Sequence, residues 1–198
     1  MTLKEFYNTH VKKHFKIGFL VMLITFFISA IFFIFNQELT QTILDEFMKA
    51  VGDEVLVDGK ISALGLIKNN ITACAVMVLL GIIPYLFLPY LSLIINGGII
   101  GAALAMIVSN MGNVGIITFL ASIIPHGIFE IPAIVLSFAL GVSLCIFLMD
   151  KIRKKPTTPT NVFFTNLIKT FVFVCIPLLL VAGVVEAYVT PLVMELFM

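Results

Sequence analysis

Charge is what this sequence has least of. Only 12% of its 198 residues are Asp, Glu, Lys or Arg, while 61% are hydrophobic. A soluble domain carries charge on roughly a quarter of its residues, so a soluble globular fold is excluded and a chain that crosses a membrane several times is indicated. Neither sign of charge dominates. The formal net charge is +1, which leaves no basic surplus of the kind that binds nucleic acid. Cysteine is scarce as well: Cys74, Cys145 and Cys175 each sit inside an apolar run. Their spacing fits neither a zinc site nor a disulfide framework, and they read as small buried hydrophobes. Catalytic signatures are missing too, with no Gly-x-Ser-x-Gly elbow, no P-loop and no HExxH pair. Ser122, Ser137 and Ser143 lie in apolar helical runs, where a hydroxyl ordinarily bonds back to its own helix. No enzymatic activity, no resident metal and no cofactor are expected.

Long apolar runs fill the space that charge leaves. The first extends from Ile17 to Phe35 and is followed by Asn36-Gln37-Glu38. It is longer than a signal-peptide core of about 7–15 residues and lacks a small-residue cleavage site, so it reads as a retained span. Ahead of it, residues 1–16 place Leu3, Tyr7, Val11 and Phe15 at a spacing of four, with Lys4, Lys12, Lys13 and Lys16 off that stripe. This pattern predicts a basic amphipathic helix resting on the membrane surface, or a solvated tail that sets orientation.

Residues 36–68 form the one long polar connection. Leu39, Ile43, Phe47 and Val51 recur at helical spacing among Glu38, Asp45, Glu46, Asp53, Glu54 and Asp58, which predicts an amphipathic helix. Gly52 and Gly59 mark the stretch from Val51 to Lys60 as a turn. The connection is too short to bury a core of its own. Further spans are expected over 70–88, with Pro84 kinking the end, over 92–109 and over 170–190. Asn96-Gly97-Gly98 and Gly101 permit close helix contact or a local break, and 110–113 reads as a turn.

The block from Gly115 to Met149 would measure about 52 Å as one helix at ~1.5 Å per residue, too long for one crossing of roughly 30 Å and too short for two. It is therefore divided into a short re-entrant or interfacial helix at 116–124 and a span at 127–149, with Pro125 and Gly127 as the helix break. A basic loop follows over 150–160, carrying Lys151, Arg153, Lys154 and Lys155. The fold class is all-α: one transmembrane domain over 1–198, with five crossings and one short extra helix. Lysine and arginine collect on the cytoplasmic side. Five crossings put residues 1–16 and 150–160 together inside and the acidic 36–68 connection outside. The N-terminus is then cytoplasmic, the C-terminus outside, and the protein belongs to the cell membrane.

Five polar side chains stand out against this background: Asn70, Asn96, His126, Glu130 and Glu186. Ionisable groups at membrane depth are costly and face a protein interior, a cavity or one another. His126 and Glu130 are four residues apart and share a helix face. With five crossings, Asn70, His126, Glu130 and Glu186 fall at similar depth in the outer half, and Asn96 nearer the inner half. One histidine and two carboxylates could bind a metal, relay a proton or hold a cationic ligand; they could equally form a hydrogen-bonded lock between helices. His126-x-x-x-Glu130 alone supplies only two ligands. The phenylalanines, 19 in all, read as lipid-facing or packing residues, and Gly97, Gly98, Gly101, Gly127 and Gly141 as close-packing sites.

Several of these elements occur together in a known family. Lys68-Asn69-Asn70, Asn96-Gly97 before Gly101, Pro125-His126-Gly127 with Glu130, Pro132, Ala133 and Gly141, and Glu186-Ala187-Tyr188-Val189-Thr190-Pro191 resemble, in order, the stage II sporulation protein M family. The resemblance runs from about residue 66 to 191. It implies a multi-pass membrane protein. The family's namesake assembles with two peptidoglycan-cleaving partners at the septal membrane and looks like an anchor and scaffold there, and it brings no catalytic residues to carry over. The leading expectation is a membrane scaffold that recruits protein partners, with the lipid bilayer as its solvent and a homo-oligomer permitted by the glycine-lined faces. The alternative is a transporter or channel-like protein whose site is built from His126, Glu130, Glu186 and Asn70.

Overall fold

The computed structural model describes residues 1–57 and 60–196. Among them, five helices are long and apolar enough to cross a membrane. They are α1 (Leu3–Ile34), α3 (Ala63–Ile82), α4 (Pro89–Met111), α5 (Asn113–Ile152) and α6 (Thr160–Glu195). The amphipathic helix α2 (Gln37–Val55) joins α1 to α3. A two-residue strand pair, β1 (Leu56–Val57) with β2 (Lys60–Ile61), closes antiparallel between α2 and α3. The turn expected from Val51 to Lys60 is thus shorter: residues 51–55 continue α2, and positions 58 and 59 lie outside the described residues.

The centre of the bundle is α5. Every residue from Ala133 to Cys145 is buried, so this helix is apolar on all sides because it has protein on all sides. It touches α1, α3, α4 and α6. The outer helices face lipid on one side, as the exposure of Phe19, Leu23, Phe27, Ile31 and Phe173 shows. Helix α2 lies across the ends of α3 and α4. Its junction with α1 is pinned by Thr40, whose buried hydroxyl donates to the carbonyls of Phe33 and Asn36 at 2.9 Å each.

Two of the expected divisions are absent. The short helix at 116–124 is instead the opening of α5, which runs unbroken through Pro125 and Pro132 to Ile152. Pro125 removes one backbone bond and crowds the Ala121 carbonyl. A full break within an apolar environment would strand many more backbone groups, each costing several kcal/mol, so the helix continues. Similarly, residues 1–16 are not a separate surface helix but the first part of α1. A π-helical turn at Tyr7–Val11 makes the join. It brings Phe6 and Val11, five residues apart, onto the buried side, where both are fully enclosed; the expected spacing of four placed Leu3 there, and Leu3 is exposed. Phe6 meets Phe163 edge-on at 5.5 Å, and Phe163 stacks on Phe147 at 4.0 Å. Ser143 of α5 donates to the His10 carbonyl at 2.6 Å.

Helix ends also differ from the apolar runs. Helix α3 starts at Ala63, where Ser62 accepts a bond from the Gly65 amide at 3.1 Å, a standard cap. It ends at Ile82, so Pro84 lies beyond it rather than kinking it. The residue before a proline is driven out of the helical region, and Ile83 is extended at φ −92°, ψ 100°. Tyr85 and Phe87 then adopt φ of 70° and 47°, which turns the chain into Pro89 at the start of α4. Helix α4 is continuous through Asn96-Gly97-Gly98. A Cβ added at Gly97 would sit 3.1 Å from the Met22 carbonyl, and one at Gly101 would sit 2.6 Å from that of Phe26, so these two serve close contact with α1. Gly98 has nothing within 4 Å, and a Cβ on Gly127 meets only Ile131 of its own helix at ordinary distance. Neither is a close-packing site.

Candidate functional site

Helices α5 and α6 run antiparallel, and their polar side chains come into register as rungs. The first is His126 opposite Thr190, with Nδ1 and Oγ1 3.3 Å apart. One turn along, Glu130 faces Glu186. Two turns further, Ser137 donates to the Cys175 sulfur at 3.6 Å. Cys74 of α3 lies beside Ser137 and Cys175, within electrostatic range of Glu130.

The local backbone of α6 explains how Glu186 reaches this register. Two π-helical turns, Phe171–Cys175 and Val185–Val189, interrupt it. Each ends two residues before a proline, Pro177 and Pro191. A proline cannot donate to the carbonyl four residues back and crowds it, and a wider turn relieves that conflict. The wide turns carry Cys175 and Glu186 respectively, and such turns recur at functional sites. Where α6 passes α3, Gly183 lets it approach so closely that a Cβ would lie 2.5 Å from Ile67 Cγ1.

The result is a compact triad. One ligand atom from each of His126, Glu130 and Glu186 lies within 4.8 Å of the others. His126 Nε2 and Glu130 Oε2 are 3.7 Å apart, and the two side chains are only 12% and 21% exposed. His126 and Glu186 line a groove of about 520 Å³ between α4 and α6, floored by α5 and lined also by Ser122, Thr190 and Glu195. Two ionised carboxylates this close in apolar surroundings require a compensating positive charge. A proton, an imidazolium or a metal cation can supply it. One imidazole nitrogen and two carboxylate oxygens form a mixed set suited to first-row divalent metals, and three protein ligands leave a coordination position open.

The other sequence candidates make local contacts. Asn96 donates to the Ser92 carbonyl of its own helix at 2.9 Å. Asn70 accepts a 3.4 Å bond from Asn69; it stands one turn before Cys74 on α3. Pro125 and Gly127 flank His126 inside the continuous helix α5. Thr190 was not singled out from the sequence, although its spacing of four from Glu186 places both on one face.

Five long apolar helices, four of them packed around a buried central one, with a histidine and two glutamates drawn together between the last two, define a multi-pass α-helical membrane protein with a polar cluster among its helices. The chain belongs to the stage II sporulation protein M family, whose model matches residues 18–191. It is also similar to an uncharacterized protein of Methanocaldococcus jannaschii, 32% identical over an alignment of 133 positions that covers 64% of this chain and 69% of the relative. No solved structure matches it.

Proposed function

We propose that this protein binds a divalent transition-metal cation within the membrane at His126, Glu130 and Glu186 and passes it toward the groove beside α4, as a non-enzymatic transporter-like protein. The observation that carries this reading is the convergence of three ligand atoms within 4.8 Å, with two of the three residues, His126 and Glu186, lining a groove. A structural lock needs hydrogen bonds. The triad offers one 3.7 Å approach and one 3.3 Å approach, long for that purpose and loose enough to close on an ion. In detergent or nanodiscs, titration with Mn²⁺, Co²⁺ or Zn²⁺ is expected to give saturable binding of one ion per chain at micromolar concentration, weakening as the pH is lowered and the ligands take up protons. No saturable binding of any of the three would end this reading.

A scaffold role has its own support in α2, which exposes Glu38, Asp45 and Glu46 away from the bundle. Basic residues gather at the opposite ends of the spans, which supports placing the N-terminus and the 153–159 loop in the cytoplasm and α2 outside the cell membrane. In a background lacking Cys74, Cys145 and Cys175, cysteine at the exposed position 45 is expected to react with an impermeant thiol reagent on intact cells. Reaction only after lysis would reverse the orientation.

A further inference from the structure

A second polar cavity lies at the other end of the molecule, far from the His126 triad. It has a volume of about 490 Å³ and is walled by α1, α5 and the loop before α6. Thr9, His10 and His14 come from α1, Ser143 and Asp150 from α5, and Thr157 and Thr158 from the loop. In a chain this apolar, a cavity walled by imidazoles and hydroxyls is out of character with simple packing.

The cavity is also built rather than accidental. His10 Nε2 and Thr158 Oγ1 are 2.9 Å apart, which ties the loop to α1, and Ser143 fixes the His10 backbone from the other side. His14, on the cavity wall, has a buried Nδ1 with no hydrogen-bond partner among the described residues. Buried polar atoms are rarely left so.

Two features beside the cavity favour an anion. The loop runs directly into α6, whose N-terminus has no side-chain cap and no acidic residue in its first turn. Its free amides therefore favour negative charge. Lys151 holds its ammonium 5.6 Å from the ring of Phe147, which lines the cavity. The single carboxylate in the wall, Asp150, is already met by Lys155 at 3.7 Å. A metal ion does not suit the site: among the described residues, the one set of three metal-type ligands that converges is His126, Glu130 and Glu186.

We propose that this cavity binds a phosphate group, held by His14, the loop hydroxyls and Lys151 at the mouth of α6. The same chemistry serves a phosphodiester lipid headgroup and a soluble phosphate, and two probes separate them. Purified full-length protein is expected to retain phosphatidylglycerol in native mass spectrometry in preference to phosphatidylcholine if the source is lipid. Saturable binding of inorganic phosphate by calorimetry indicates a soluble ligand. In either case Lys151→Gln, at an exposed position that leaves packing intact, is expected to weaken binding about tenfold, and His14→Ala combined with it about a hundredfold. A melting curve like that of the wild type checks that each variant is folded. The site is disproved if neither probe binds saturably, or if Lys151→Gln binds as tightly as the unaltered protein.

Discussion

Replacing Glu130 and Glu186 together by glutamine is expected to abolish divalent-cation binding, lowering affinity at least ~100-fold, equivalent to about 2.7 kcal/mol at 1.36 kcal/mol per tenfold. Both charged ligands disappear while the side-chain volumes stay the same. The effect on the folded protein without metal runs the other way. Two carboxylates whose oxygens lie within 4.8 Å of each other and of one imidazole repel each other in apolar surroundings, and neutral amides remove that conflict. The double variant is thus expected to melt no lower than the wild type in chelator, and to lose the rise in melting temperature that metal gives the wild type. A ligand held at a hundred times its Kd stabilises by ~2.7 kcal/mol, enough to measure in detergent. If Glu130 and Glu186 are instead a structural lock, the wild type shows no metal-dependent rise, and His126→Ala alone lowers the melting temperature through the lost contact with Thr190.

Gly81→Ala is expected to cost ~3 kcal/mol or to prevent folding, while Gly98→Ala is neutral or slightly stabilising. The two glycines look alike in the sequence. A Cβ on Gly81 would clash with the backbone oxygen of Gly141, and a Cβ on Gly141 would lie 2.6 Å from the Met77 carbonyl. Both obstacles are backbone of a neighbouring helix, so relief requires α3 to move away from α5, the helix on which the whole bundle rests. Overpacking of this kind commonly costs 1–3 kcal/mol even when side chains can yield. At Gly98 nothing lies within 4 Å, and alanine is the better helix former by up to ~1 kcal/mol. Melting temperatures of the two variants in the same detergent make the comparison. Equal melting temperatures would show that α3 and α5 are not in this contact.

Hydropathy alone carries much of this architecture. Apolar length and the sidedness of lysine and arginine yield five crossings, because lipid forces every backbone group into a helix and water holds the charges at its ends. Helix limits are less legible, since they depend on caps and turns rather than on solvent. Ser62 starts α3 well before its apolar run, and Pro84 ends it by acting on Ile83. The fusion of residues 1–16 with the first span was hidden because a π-helical turn shifts the buried face by one residue, so that Phe6 takes the place expected for Tyr7. The division of α5 at Pro125 failed because a proline's preference to break is a property of helices in water. In the site, His126 and Glu130 were visible from their spacing, and Glu186 from its depth. Thr190 was hidden because a threonine in an apolar run usually bonds its own helix. Asn96 does so, and depth alone could not tell the two apart.

The length of α5 has a consequence for the lipid itself. At ~1.5 Å per residue its 40 residues reach about 60 Å, twice the hydrocarbon thickness of roughly 30 Å. Val114, Ile117, Leu120, Ile124 and Ile128 form an exposed apolar stripe along its outer third, so this part cannot simply stand in water. Packed against it, α3 has 20 residues and matches an ordinary bilayer. Two helices in contact thus match bilayers of different thickness. Tilt absorbs part of the mismatch, and the leaflet must slope to absorb the rest. The cost of that slope is expected to be lowest where the leaflet is already deformed.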